Sequence, residues 1–548
     1  MIRRAFPFFL LLLSACAPAP RPRVTPVAPQ LAATGTPQRV VLMSFDGLGA
    51  DALAGQTGLP AFDHLARTAA TARVIPVNPT LTSSTHVSIL TGVDPQKHGI
   101  VSNWFHLPGT PADQVARGIN ADIDVETLVE AARRQGKRVG AVLFPTIDAR
   151  TSRRSADFGL VWTSSITEGR VVKLTKKDFR REWVPPGWTA VQPRRSSFSP
   201  VMRARMEWRV SRELRADVDL IALDTTDDRV ENYDAYIVEA GDRELPIDHG
   251  WFAVTKQSHG SWSKILDAKA LDVTLYWGPI SRTNAYPETF RTLLDNEVGF
   301  WPGAPDERAE IDAATFAEQL ERLADFLMLA QALTVQRMEF DLLLAYQPVL
   351  DQAMHNFLGY DDAVLRRAFV AADRAVAAVG SKLDGNQDAF IVTGDHGLVP
   401  ITREVRLGVL LAQHGFASRW RVFTSNNVAH FYRSAGAEDD SDALISMLTG
   451  TGLFESIEKK SAGSHRNSGD VIAVSFPPIG LSSSAQPPLE VKPDAYGHHG
   501  ALNTHPELHT VLFASGFGVP RGALGDISQT RIAPFVAGLL GIRWNAVE

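Results

Sequence analysis

The chain reads as an α/β protein, with a doubly wound, mostly parallel sheet flanked by helices and an inserted α+β cap region. Three observations predict this. Apolar runs at Val40–Met43, Phe340–Tyr346 and Ala389–Val392 lack a polar face, which suits strands buried on both sides. Segments with apolar residues at helical spacing lie between such runs, at 60–72, 125–135 and 363–383. From 151 to 337 the rhythm changes to shorter strands between Asp and Gly turns, and the segment from Arg150 to Arg195 is locally basic. This region is expected to be an insertion between the two parts of a main domain, 38–150 and 338–548.

The N-terminal residues come first. Arg3 and Arg4 precede an apolar run, Ala5 to Leu13, and then small residues. That is the layout of a secretory signal, and the run is too short to span a membrane. Leu13-Ser14-Ala15-Cys16 resembles a bacterial lipobox, which implies lipid on Cys16, the only cysteine. Residues 1–16 are thus expected to be a lipoprotein signal peptide and 17–37, rich in Pro and Ala, a tether. The expected location is the bacterial cell envelope, with the protein lipid-anchored and periplasmic or surface-facing. The 548 residues are enough for about three domains. A net charge of −6 without a long basic run gives no footing for a nucleic-acid complex.

The first strand, 38–45, ends in Asp46-Gly47. A carboxylate at the carboxyl end of a parallel strand sits where open α/β sheets bind ligands. Residues 75–104 hold a hydroxyl-rich loop, Pro79 to Thr85, then Val87, Ile89 and Leu90 at the opening of a helix. A hydroxyl there faces outward-pointing N–H groups and a dipole that favours anions, a fit place for a nucleophile that receives phosphate. Arg138–Phe144 reads as a strand followed by Pro145. Inside the insertion, Val218–Asp224, Tyr233–Val238 and Trp251–Thr255 read as strands, and 313–336 as a core helix returning to the main domain. Its basic residues are candidates to attract an anionic substrate.

After the strand at 340–346, Asp351 and His355 stand four residues apart, a spacing that lets both grip one ion from a helix face or tight loop. The strand at 389–394 ends in Asp395-His396-Gly397. Near the end, Tyr496-Gly497-His498-His499-Gly500 is followed by a strand at 511–516 and a helix at 532–540. Residues 403–490 carry shorter strands without a legible function.

These motifs resemble the alkaline phosphatase superfamily, and within it the nucleotide pyrophosphatase/phosphodiesterase family. Pro79-Thr80-Leu81-Thr82, His86, Thr91-Gly92, Pro95, His98-Gly99-Ile100 and Asn103 match its nucleophile region. Ser83-Ser84-Thr85 departs from the family's Phe-Pro-Asn, and this leaves four neighbouring hydroxyls as candidates. The resemblance implies Thr82 as nucleophile and Asn103 as the amide holding a phosphoryl oxygen. It implies Asp46, Asp395 and His396 with Thr82 on one metal ion, and Asp351, His355 and His499 on another, with His499 chosen over His498. Three carboxylates and three imidazoles suit two zinc ions. These ligands are expected to face solvent at strand ends. The expected reaction is hydrolysis of phosphodiester or phosphoanhydride bonds in a small phosphorylated substrate, through a phosphothreonine intermediate. The alternatives are a phosphomonoesterase or phosphonate hydrolase of the same superfamily, or, remotely, a non-catalytic lipid-anchored binding protein. Nothing matches the Cys-x-Pro-x-Arg pattern of sulfatases.

Overall fold

The computed structural model describes residues 31–543, apart from 112–113, 149–153, 183–198, 225, 227–228, 241–242, 246–249 and 306–310. The signal segment, Cys16 and most of the tether lie outside the described residues, as do Arg150, Arg153, Arg194 and Arg195. The end of the expected tether does not hang free. Leu31 is buried in the main core, and Thr34 N–H donates to the Gly518 carbonyl, 2.8 Å.

Nine strands form the central sheet: β1 (Arg39–Phe45), β2 (Ala70–Ile75), β3 (Val139–Val142), β4 (Phe158–Leu160), β5 (Ala285–Tyr286), β6 (Leu342–Gln347), β7 (Asp388–Gly394), β8 (Thr510–Gly516) and β9 (Ala523–Ser528). Their order is β5-β4-β3-β6-β1-β7-β8-β2-β9. The run β4-β3-β6-β1-β7 is parallel. β8 runs antiparallel to both of its neighbours. β1, β6 and β7 are the apolar runs read from sequence, and almost every residue in them is buried.

The register builds the site. Phe45 at the end of β1 lies level with Gln347 in β6 and with Gly394 in β7. The next residues in each chain segment are Asp46, Pro348 and Asp395, so three parallel strands release their functional loops at one height.

The helices that matter here are α1 (Thr82–Thr91), α2 (Ala313–Arg337), α3 (Val349–Phe357), α4 (Asp362–Gly380) and α5 (Ile532–Leu540). α2 and α4 pack on the core through regularly spaced apolar residues. The helix expected over 60–72 ends at Thr68, because Ala70 already belongs to β2.

The insertion differs in extent from 151–337. Its flanks contribute β4 and β5 to the central sheet, and Phe158, Phe290, Trp301 and Phe316 join the main core. The strands between them form two sheets around a separate cluster that includes Trp208, Phe252 and Trp277. Trp208 Nε1 donates to Ser261 Oγ across that cluster, 2.9 Å. The insertion is tied to α2 by Lys264, whose Nζ lies 2.7 Å from Glu318 Oε2. Several of its cations are neutralised locally. Arg203 pairs with Glu182, and Arg205 with Asp219. Within 403–490, a four-stranded sheet of Trp420–Ser425, Val428–Arg433, Phe454–Lys459 and Val471–Ser475 has its own apolar cluster. Among the described residues no helix is long and apolar enough to cross a membrane.

Candidate active site

Asp46 leaves β1 just before Gly47, whose φ is +75°. A Cβ at Gly47 would meet the Asp351 backbone N and Cα at 2.9 Å, so only glycine lets the two segments approach this closely. The Gly47 N–H donates to Asp395 Oδ1, 3.1 Å, and Asp351 N–H to the Asp46 carbonyl, 3.1 Å. One turn thus holds three carboxylates together. Asp46 Oδ2 accepts a hydrogen bond from Tyr346 at the end of β6. Its Oδ1 lies 3.4 Å from His396 Nε2.

Asp351 and His355 share one face of α3. His355 Nε2 is 3.3 Å from Asp351 Oδ1, and His499 Nε2 is 3.6 Å from the same oxygen. Asp395 Oδ2 is 3.1 Å from His396 Nε2. Adjacent in sequence, Asp395 and His396 still face one centre, because the His396 N–H folds back onto Asp395 Oδ1 at 2.8 Å. Both are fully buried, as are Asp46 and His499, so the expectation of solvent-facing ligands is corrected.

The three imidazoles are oriented alike. His355 Nδ1 meets the Gly497 carbonyl at 2.7 Å, His499 Nδ1 the Thr80 carbonyl at 2.9 Å, and His396 Nδ1 the Gly397 carbonyl at 3.2 Å. A carbonyl only accepts, so each Nδ1 carries the proton and each Nε2 offers a lone pair to the centre. Burial, and then neighbouring His396, hold His499 well below the usual imidazole range, which keeps it neutral.

This donor set fits cations. Lone pairs of His355 Nε2 and Asp351 Oδ1 face each other, and Asp46 Oδ1 and Asp351 Oδ1 are buried without a hydrogen-bond partner. Burial first, then the charges of Asp395 and Asp351, raise Asp46 well above the usual carboxylate range, against the pull of Tyr346. Positive charge between these groups would remove that conflict. Among the described residues, donor atoms gather within 4.8 Å of one another in two groups, one of Asp351, His355 and His499 and one of Asp46, Asp351 and His396. Asp351 belongs to both, a sharing that the sequence did not suggest. His498 belongs to neither group, although its ring meets the edge of His355 at 5.8 Å. It pairs with Val399 in a short ladder and packs against Gly480, and only His499 joins the donors.

Thr82 is the first residue of α1. Its Oγ1 donates to His396 Nε2 at 3.3 Å. The hydroxyls of Ser84 and Thr85 are otherwise engaged. Ser84 Oγ donates to the Ile100 carbonyl and Thr85 Oγ1 to the Leu81 carbonyl, both at 2.9 Å, and Ser83, Ser84 and Thr85 are buried. Asn103 Oδ1 accepts from Ser83 N–H, 2.9 Å. His86, against Phe144 and Tyr346, holds the Thr82 carbonyl through Nδ1 at 2.8 Å. Sequence reading passed over Tyr346 and also Gln529, whose Nε2 donates to the Asp395 carbonyl at 2.7 Å. A strand-end tyrosine and a distant glutamine carry no local signal of such contacts.

The family model of type I phosphodiesterases/nucleotide pyrophosphatases matches residues 40–500. The chain belongs to this family. It is a hydrolase acting on phosphate esters. No curated protein sequence matches it. Solved structures resemble this family member in fold. Murine ectonucleotide pyrophosphatase/phosphodiesterase 5 aligns with a TM-score of 0.53 at 14% identity, over 92% of this chain and 96% of the other. The inactive Thr-to-Ala variant of the mouse protein, in complex with AMP, aligns with a TM-score of 0.53 at 13% identity over the same shares. Phosphonoacetate hydrolase from Sinorhizobium meliloti 1021, in complex with phosphonoacetate, aligns with a TM-score of 0.51 at 14% identity, over 92% and 95%.

Proposed function

We propose that the protein hydrolyses phosphodiester or phosphoanhydride bonds through a covalent phosphothreonine on Thr82, with two zinc ions in the donor groups. The observation that carries this reading is the setting of Thr82. It is the one hydroxyl of Thr82–Thr85 that is not buried, and it points at a metal-type donor, His396 Nε2. Asp351, His355 and His499 would hold one ion; Asp46, Asp395, His396 and Thr82 would hold the other. When bound, the ions supply the positive charge that acidifies the Thr82 hydroxyl and offsets the phosphoryl oxygens.

The chain's own residues do the rest. Thr82 Oγ1 gives its proton to solvent and attacks phosphorus, the bond from phosphorus to the leaving oxygen breaks, and that oxygen departs and takes a proton from solvent. Asn103 Oδ1 is taken by Ser83 N–H, which leaves the amide Nδ2–H to donate to a non-bridging oxygen. The N-terminus of α1 adds its dipole at the same place. Water then attacks phosphorus and breaks its bond to Thr82 Oγ1, which restores the hydroxyl. His86 and Thr85 keep the first turn of α1 fixed against Asp395 throughout.

Comparing kcat/KM for bis-p-nitrophenyl phosphate and p-nitrophenyl phosphate on one preparation tests this. We expect the diester to be preferred. A monoester preference of about tenfold, ~1.4 kcal/mol of differential transition-state binding, would reverse the substrate class. We also propose that lipid on Cys16 tethers the protein to the bacterial cell envelope, supported by Leu13-Ser14-Ala15-Cys16 behind a short apolar run.

A further inference from the structure

Gln529 follows the last residue of β9 and opens the short turn Gln529–Arg531 that leads into α5. Its side chain is fully buried. Both ends of its amide are engaged. Oε1 accepts from the Val77 N–H at 3.2 Å, and Nε2 donates to the Asp395 carbonyl at 2.7 Å. Val77 lies two residues past the end of β2, and Asp395 one residue past the end of β7. These strands are not neighbours in the sheet, because β8 runs between them. One side chain therefore ties two segments whose strands do not pair.

Both segments carry the site. From Val77 the chain runs through Thr80 to Thr82. Thr80 is itself held: its hydroxyl donates to the Ala501 carbonyl at 2.9 Å and accepts from the Gly500 N–H at 2.8 Å, while its carbonyl orients His499. On the other side, Asp395 is followed by His396, whose Nε2 lies 3.3 Å from Thr82 Oγ1. The Asp395 carboxylate is fixed by the N–H groups of Gly47 and His396, and its carbonyl by Gln529. The far end of α1 rests on the same turn. A Cβ at Gly92 would stand 3.2 Å from the Thr530 carbonyl oxygen.

The bridge calls for an amide. A backbone N–H only donates and a backbone carbonyl only accepts, so the bridging group must carry an acceptor and a donor side by side. Neither buried backbone group can turn to water instead. An ionised carboxylate would keep the bond from Val77 but set an oxygen against the Asp395 carbonyl. Gln529 also lies beyond residues 40–500, the stretch that the family model matches.

Resting on the assignment of Thr82 and zinc above, we propose that Gln529 is a positioning residue for the reaction, its amide setting the spacing between Thr82 and the Asp395–His396 donor pair. It touches neither substrate nor ion, and acts through the backbone at both ends. Displacement of an attacking group by about 1 Å costs on the order of 100-fold in rate, so a strap of this kind is felt in turnover.

Two variants of similar size test this. Gln529→Met removes both bonds, and Gln529→Glu keeps the acceptor for Val77 but loses the donor to Asp395. With zinc in excess, both should lower kcat on bis-p-nitrophenyl phosphate about 10–100-fold while KM stays within about threefold of wild type. Wild-type kcat in either folded variant would overturn the proposal, and so would a loss confined to KM. Should neither fold, Gln529→Asn decides, since its shorter stem cannot reach both partners. A lowered kcat supports the strap, and wild-type kcat overturns it. Failure of all three to fold also overturns it, because Gln529 would then be holding the fold rather than the spacing. Competition with a chelator gives a readout that does not depend on turnover. Zinc affinity should be about tenfold weaker in Gln529→Glu than in wild type. If wild-type protein leaves the diester intact, the hydrolytic reading fails by itself and zinc affinity decides the strap. Equal affinity in the two proteins, or a wild type that binds no zinc, overturns it.

Discussion

Thr82 stands out among its neighbours because of what they are doing. Ser84 and Thr85 spend their hydroxyls on backbone carbonyls, and Ser83 is covered by Gly118. Four hydroxyls in a row are indistinguishable in sequence, and only packing separates them. Thr82→Ala should therefore lower kcat/KM on bis-p-nitrophenyl phosphate by at least about 10³-fold, with Thr82→Ser retaining measurable turnover. Substantial activity in Thr82→Ala would place the nucleophile elsewhere. Tyr346 offers a second test. Its hydroxyl donates to Asp46 and fixes that carboxylate. Tyr346→Phe should weaken metal affinity about 10–100-fold, read by competition with a chelator, while the fold persists. The imidazoles were legible through their motifs, Asp351 with His355 four residues on, Asp395-His396-Gly397 and His498-His499-Gly500. The choice of His499 over His498 rested on resemblance, and the carbonyls of Thr80 and Gly497 that orient His499 and His355 are tertiary facts.

At the scale of elements, the site is a matter of register. β1, β6 and β7 were legible because strands buried on both faces must be apolar throughout, and their carboxyl ends announced Asp46, Asp351 and Asp395. β4 and β5 were not, being three and two residues long, too short to show any period. The antiparallel placement of β8 was equally hidden, because direction depends on which strands it joins. The turn at Gly47 is the most exacting piece. Gly47→Ala would force a side chain into left-handed backbone, about 1–2 kcal/mol, and press it on the Asp351 backbone. Its denaturation midpoint should fall and its metal content with it. A variant of wild-type stability with full metal content would show that the contact gives way. In wild-type protein, metal analysis should find two zinc equivalents, and exhaustive chelation should abolish turnover.

For the molecule as a whole, buried histidines away from the metal donors set its response to acid. Burial, chiefly, pushes His98 down to about 3 and His430 down to about 4. Both stay neutral in the fold at pH values where the unfolded chain would protonate them. Their stabilising share is complete above about pH 6.5 and is lost as pH falls from there towards 4, by up to about 1.4 kcal/mol per pH unit for each. The urea midpoint should drop over that window, and His430→Gln should flatten the drop. An unaltered slope in that variant would remove His430 from the account. Anchoring belongs to the same scale. Wild-type protein should partition into the detergent phase and Cys16→Ser should not. Equal partitioning of the two would dismiss the lipid.

The strand order carries one more consequence. β2, which leads into the segment that carries Thr82, has only β8 and β9 as neighbours in the sheet, and both are made more than 400 residues later. His499 and Gln529 arrive equally late. A chain emerging from its N-terminus thus holds the threonine, the first aspartate and the amide long before it can assemble them. β8 takes its place between β7 and β2, with β9 at the edge beyond β2, so the sheet that supports the Thr82 segment is completed only by the last strands, and a chain that stops short of β8 is expected to lack activity on phosphate esters.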